Sequence, residues 1–345
     1  MPPNAKQARV GVAAAAAEGD LDSSPTKSRR TGSSISSSSS SSIRSSNHST
    51  PRSLQSYIPQ YLRRNVLPYH GDFCYSPLFD PRLIVQLMSE GFLPIATEGL
   101  LLPKLHLHRS VVHLPAALHV KKSARKKARR FTVSINTALD DVVAGCRQQH
   151  GTHCWLYDPL VAAFQTMYQA TVENQPMQAT FKSSACSNGG DTTSLSCPVR
   201  FYSVEIWSHD GTNEANHDAG EEKNGAPPVL VGGELGYSVG SIYTSLTGFS
   251  SQDSAGSVQL AALGMLLSRS GFTLWDLGMD MEYKRELGST LMTRADFVQY
   301  VGTVRESHAH VQLCVPDSLV NARTMMDGPL PDAMVKATRS CSNSR

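Results

Sequence analysis

Apolar residues recur along the chain with two different periods. Pro81-Arg-Leu-Ile-Val-Gln-Leu-Met-Ser-Glu-Gly91 has helical spacing, a proline in its first turn and a glycine just past its end, and so predicts a short helix. Leu105-His-Leu-His-Arg-Ser-Val-Val-His113 alternates in part and reads as extended chain. Phe131-Thr-Val-Ser-Ile135 alternates like a strand. Asn136 can then cap a helix over Thr137–Arg147, with Leu139, Val142, Val143 and Cys146 on one face. Another helix opens at Asp158 or Pro159 and runs through Ala170. Three apolar runs, Phe201–Trp207, Val229–Val239 and Ser241–Thr244, read as a strand meander. A helix over Asp253–Ser268 ends near Gly271, and Phe272-Thr-Leu-Trp-Asp276 is a further strand. Three strands, a helix and a strand in that order predict an α+β architecture.

The pattern lapses in three places. Residues 1–56 have no aromatic residue, and Ser33–Ser42 is nearly pure serine, so too little apolar surface is on hand to offset chain entropy. A disordered tail is expected there. Its Lys6, Arg9, Lys27, Arg29, Arg30, Arg44 and Arg52 among serines suit an organelle transit peptide, although Glu18, Asp20 and Asp22 do not. Residues 171–199 and 209–227 are rich in Ser, Asn, Gly and Thr and read as polar insertions at the meander's turns. The expected division is a tail (1–56), a small N-terminal domain (57–130), a larger domain (131–302) and a C-terminal extension (303–345).

A formal net charge of +3 names no partner, but its distribution does. Lys121-Lys-Ser-Ala-Arg-Lys-Lys-Ala-Arg-Arg130 carries Lys121, Lys122, Arg125, Lys126, Lys127, Arg129 and Arg130 with no acid beside them in sequence. Phosphates would relieve that repulsion, so the run favours nucleic acid over a merely solvated face. The cysteines number seven, an odd count without a scaffold-like spacing, which points to reduced thiols in an intracellular setting, taken as cytoplasmic. No apolar run reaches the roughly 18–20 residues of a membrane span.

Other chemistry is weaker. Gly236-Tyr-Ser-Val-Gly240 fits G-x-S-x-G, but a strand-like run follows where a hydrolase elbow needs a helix. Cys146, His150, His153 and Cys154 crowd together without a second ligand pair at finger spacing, so a buried cysteine at a helix end is the simpler reading and no metal is expected. Trp155, Trp207 and Trp275 can be core residues or stacking surfaces for bases. Asp276 ends an apolar strand, where a carboxylate can serve as a base, orient an amine or cap a turn.

Taken in order, these segments resemble the leucyl/phenylalanyl-tRNA–protein transferases over about residues 75–302. Glu90-Gly-Phe-Leu-Pro94 is similar to the family's Gly-Ile-Phe-Pro after its helix, and Leu105–Ser110 to its Leu-His-Ile-Ser-Arg-Ser. Cys154-Trp-Leu156 sits where the family has Thr-Trp-Ile, and Tyr202-Ser-Val-Glu-Ile-Trp207 resembles its His-Ser-Val-Glu-Val-Trp. Leu230-Val-Gly-Gly233, Gly236, Gly240, Phe249-Ser250, Asp276 and Leu287-Gly-Ser289 keep its order and spacing.

The resemblance implies a small N-terminal domain joined to a domain like the GNAT acetyltransferases. The implied reaction moves leucine or phenylalanine from aminoacyl-tRNA to the N-terminal Arg or Lys of a protein, which marks that protein for degradation. No cofactor is implied. Position by position, Asp276 falls on the catalytic aspartate and Trp155 on a tryptophan contacting the terminal adenosine. Glu205, Glu234, Tyr243, Phe249 and Trp275 are carried over as substrate contacts, and the basic run 121–130 as the tRNA-facing patch. The departures fall at the site. The family's glutamine two residues after the aspartate is Gly278, its glutamate is Leu246, its lysine is Ser257, and a tryptophan is Ile95. Three functions therefore compete: a transferase of altered specificity, a non-catalytic descendant binding tRNA or N-terminal peptides, and an acyltransferase on another amine. The third lacks an Arg-x-x-Gly-x-Gly/Ala loop for coenzyme A.

Overall fold

The computed structural model of the protein describes residues 71, 74–182, 194–209, 227–316 and 318–327. The expected tail 1–56, the middle of both insertions and residues 328–345 lie outside them.

The chain enters through helix α1 (Pro81–Ser89), capped by the Asp80 carboxylate on the Arg82 amide at 2.8 Å. Gly91, at φ +90°, ends it as expected. Strands β1 (Leu93–Thr97) and β2 (Leu100–Lys104) form a separate hairpin. Then follow β3 (His108–His113), α2 (Lys122–Lys127), β4 (Phe131–Ile135), α3 (Leu139–His150) and α4 (Asp158–Val172). The meander is β6 (Ser194–Ser208), β7 (Val229–Val239) and β8 (Ile242–Ser250), with β5 (Met177–Lys182) pairing on the start of β6. Helix α5 (Ala255–Arg269) crosses to β9 (Leu274–Asp276), and α6 (Glu282–Glu286), β10 (Thr290–Thr293) and α7 (Arg294–Ser307) follow. Strand β11 (Val320–Asn321) and α8 (Ala322–Asp327) close the described chain.

One sheet runs β10-β3-β9-β8-β7-β6-β4-β11. Its pairs are antiparallel except β8–β9, joined by the α5 crossover that a parallel pair requires. Side-chain alternation sorts the core to two faces. Phe201, Leu235 and Tyr237 pack with residues of α1, α3 and α4, whereas Tyr202, Val204, Tyr243 and Trp275 pack with α2, α5 and α8.

Two expectations change. The insertion expected over 171–199 contains β5 and the start of β6, because a short run of mixed polarity on a sheet's flank needs no strict alternation. Asn136 does not cap α3: its φ is +60° and its Oδ1 accepts from the Ser203 amide at 3.1 Å. Strand β3, which precedes residue 130, lies between β9 and β10 in the sheet. Among the described residues no helix is long and apolar enough to cross a membrane.

Candidate active site

Strands β8 and β9 pair only through Ile242–Leu274, Tyr243–Trp275 and Thr244–Asp276. Beyond that point β8 continues along β7, displaced by a bulge between the Leu235–Thr247 and Gly236–Ser245 pairs. The chain after β9 turns the other way: Leu277 N donates to Ser110 O at 2.9 Å, and Ser110 N donates to Gly278 O at 2.8 Å. Adjacent parallel strands that part at their carboxyl ends open the crevice where α/β sheets place their chemistry.

Asp276 stands at this parting and is wholly buried. Its carboxylate accepts from Arg109 Nη1 at 3.1 Å, Thr244 Oγ1 at 3.1 Å and the Gly278 amide at 2.9 Å. Gly278, at φ +74°, makes the turn that aims its amide back at the carboxylate. The Arg109 guanidinium, also wholly buried, donates to Gly91 O and lies 4.8 Å from the Phe297 ring centre. In the sequence Arg109 stands out only as one member of the Leu105–Ser110 motif. Its buried charge, matched to a carboxylate 167 positions away, is not readable from local sequence.

Two more ionisable groups are buried here. Lys284 Nζ donates to Leu277 O at 2.6 Å and to Met279 O at 2.8 Å. Burial pulls its amine down from 10.5 to about 8, against the opposing pull of Asp276 and Asp280. His106 falls from 6.5 to about 2, chiefly by burial and then through Arg109, so its ring is neutral.

Glu234, Tyr243 and Trp275 are brought together on the opposite face of the sheet, under α5. The Glu234 carboxylate accepts from Tyr243 Oη at 3.1 Å, Ser245 Oγ at 2.9 Å and Gln259 Nε2 at 3.2 Å. Trp275 Nε1 donates to the same Ser245 Oγ at 3.0 Å. Burial pushes Glu234 up to about 7. This is a closed core network rather than an open pocket wall, since all three side chains are at most 1% exposed.

Glu205 belongs to neither group. It accepts from Ser134 Oγ at 2.8 Å and Thr137 Oγ1 at 3.1 Å, and from the Thr137 and Ala138 amides at 3.3 and 3.2 Å. It is thus the cap of α3, supplied from β6. Trp155 packs edge-on to Phe164, 6.4 Å between ring centres, and its Nε1 has no hydrogen-bond partner among the described residues. The Phe249 ring fills the space left by Gly145, where an added Cβ would lie 2.5 Å from it. Phe249 also lines a cavity of about 440 Å³ with Gly145, Gln148, Gln149, Leu230 and Ser250. Ser238 sits inside β7 with partners on both sides, so Gly236–Gly240 forms no strand–turn–helix elbow.

The basic run forms α2 and the turn after it, anchored by buried Ala124 and Ala128. Acids distant in sequence do approach it. Lys121 pairs with Glu286 at 2.6 Å, Lys127 with Asp253 at 3.2 Å, and Arg125 with Asp327. Lys122, Lys126 and Arg129 are exposed, with no ion pair among the described residues.

Fold and site define a mixed α and β domain in which Asp276, Arg109 and Lys284 are buried where the parallel β8–β9 pair parts. The family model described as leucyl/phenylalanyl-tRNA protein transferase matches residues 112–175 and 224–302. Proteins named leucyl/phenylalanyl-tRNA–protein transferase are similar to the chain. That of Pectobacterium atrosepticum is 25% identical over 190 residues, 54% of this chain and 62% of its own length. That of Pseudomonas paraeruginosa is 24% identical over 231 residues, 66% and 82%. That of Tolumonas auensis is 24% identical over 253 residues, 73% and 81%. Over these two segments the chain matches the leucyl/phenylalanyl-tRNA protein transferase family as a divergent relative.

Proposed function

We propose that the protein transfers an amino acid from an aminoacyl-tRNA to the N-terminal amine of an acceptor protein, with Arg or Lys at the acceptor's first position, and so marks it for degradation. The observation that carries this reading is that the second matched segment, 224–302, contains both strands of the parting, Asp276 and the turn after it. A GNAT-like domain is part of the proposal. It is supported by the order β6, β7, β8, α5, β9, by the bulge in β8 and by the parallel β8–β9 pair.

The reaction is attack of an amine on an activated ester, and it mainly needs alignment and a route for one proton. Asp276, held by three donors, suits a carboxylate that fixes the Gly278 turn and Arg109 rather than one exposed to take a proton. The exposed Lys122, Lys126 and Arg129 are the cations free to meet tRNA phosphates. Trp155 and Phe249, on the α3–α4 face, are proposed to meet the substrate's terminal adenosine. Glu234, Tyr243 and Trp275 support the sheet from behind.

A second reading is favoured by the complete burial of Asp276: a descendant that binds tRNA or N-terminal peptides without chemistry. Incubation with a mixed pool of labelled aminoacyl-tRNA and a peptide starting with Arg or Lys separates the two. Label in the peptide is the expected result. Salt-sensitive tRNA binding without label would establish the binding protein instead.

A further inference from the structure

Helix α2 has little reason to form on its own. Four of its six residues, Lys122, Arg125, Lys126 and Lys127, are cationic, Arg129 and Arg130 follow at once, and like charges one turn apart repel. A helix of this length also has too few internal bonds to persist in water. It is held from outside, and part of the hold comes from the end of the described chain. Strand β11 pairs with β4 through Val320–Val133 and Asn321–Thr132, which brings α8 against the run. Asn321 Nδ2 then donates to Arg129 O at 3.1 Å and Arg323 Nη1 to Arg125 O at 3.0 Å, so carbonyls left open at the end of the run are satisfied from this segment.

The same segment changes the charge of this face. Asp327 sets its carboxylate between two guanidiniums, Arg125 Nη1 on Oδ1 and Arg323 Nε on Oδ2. Arg269, at the end of α5, lies in the field of that carboxylate as well. One negative charge thus answers more than one positive charge, and the face stays cationic. It is also open: the side chains of Arg125, Arg323 and Asp327 are 31%, 37% and 32% exposed, and Lys126 and Arg129 of the run are exposed too. Two arginine forks converging on the two oxygens of one anion have the geometry that grips a phosphodiester. Exposed ion pairs hold weakly, so a polyanion that releases counterions as it binds can take the carboxylate's place. We propose that Arg125 and Arg323 form a phosphate site for the tRNA backbone, in which Asp327 is the resident anion that a phosphate displaces. Residues 320–327 lie outside both segments matched by the family model, so the site extends the tRNA-facing surface beyond the run 121–130. It rests on the reading that the protein binds tRNA, not on transfer.

The test measures binding of uncharged tRNA to the full chain across a salt series. Arg323→Gln is expected to weaken binding roughly threefold at about 0.1 M salt, and to flatten the slope of log affinity against log salt by about 0.9. Asp327→Asn is expected to tighten binding by a similar factor, because both guanidiniums are then free. The opposite signs separate a phosphate site from a staple: if the bridge only holds α8 on α2, both substitutions break it and both weaken binding. Unchanged or weaker binding by Asp327→Asn, or an unchanged slope for Arg323→Gln, overturns the proposal. Should either variant not fold, phenylglyoxal modification of the parent with and without tRNA decides. Protection of Arg125 and Arg323 by tRNA supports the site, and unaltered modification overturns it. A parent without salt-dependent tRNA binding strikes down the tRNA reading and this site with it, whereas salt-dependent binding that Arg323→Gln leaves unchanged strikes down this site alone.

Discussion

Glu234 and Asp276 face opposite ways from the same sheet, and the difference is testable by pH. Burial raises Glu234 from 4.5 to about 7, so folding favours its protonated form. That contribution is complete below pH 4.5 and is lost as pH rises through about 7. Glu234→Gln removes the titration while keeping an acceptor for Tyr243 and Ser245. Denaturant unfolding across pH 4–8 is expected to show the parent losing stability relative to the variant, at up to about 1.4 kcal/mol per pH unit. A flat difference would place the carboxylate in water. Asp276→Asn leaves the Arg109 guanidinium buried beside a neutral amide. Removing one member of a buried pair costs roughly 3–5 kcal/mol, so a clear drop in melting temperature is expected together with abolished transfer. The sequence placed Asp276 at a strand end and Glu234 in an apolar run, and both positions were legible. Which face each points to was not, since one step along a strand reverses the side chain and only the pairing register fixes the outcome.

At the scale of elements, interactions between distant segments decide what single segments do. Helix α3 looks self-capped by Asn136 in the sequence, but its end is held by Glu205 from β6, a partner no local pattern reveals. Glycines are legible as a motif, while their reason lies in packing. An added Cβ at Gly264 on α5 would lie 2.9 Å from the Trp275 ring and 2.8 Å from Leu118. Gly264→Ala should therefore destabilise by about 1–3 kcal/mol despite its better helix propensity, as thermal unfolding would register. The basic run is plain from sequence, but the acids that neutralise part of it, Glu286, Asp253 and Asp327, come from elsewhere. Replacing Lys122, Lys126 and Arg129 by alanine should flatten the salt dependence of tRNA binding by roughly one unit of slope for every phosphate no longer neutralised. Replacing Lys121, Arg125 and Lys127 should flatten it less, and an equal effect would discount the ion pairs.

For the whole molecule, the middle of the sheet was readable because β6, β7 and β8 are apolar and consecutive. Its ends were not: β10 and β11 are short, and β11 with α8 falls in what reads as a mere C-terminal extension. Yet Ala322, Met325 and Met326 are buried against α5 and β4. A chain ending at residue 319 should unfold at a clearly lower temperature, since removing one buried methionine side chain alone costs about 2–5 kcal/mol. The place of β3 carries one further consequence. It is made early on the ribosome, but the two strands it fits between, β9 and β10, follow only after the whole meander and α5. At ordinary elongation rates that is a wait of on the order of ten seconds or more, during which Val111 and Val112 have no sheet to join. The strand that brings Arg109 to Asp276 therefore waits unpaired in the nascent chain, and the charged centre is assembled only once β9 has been made.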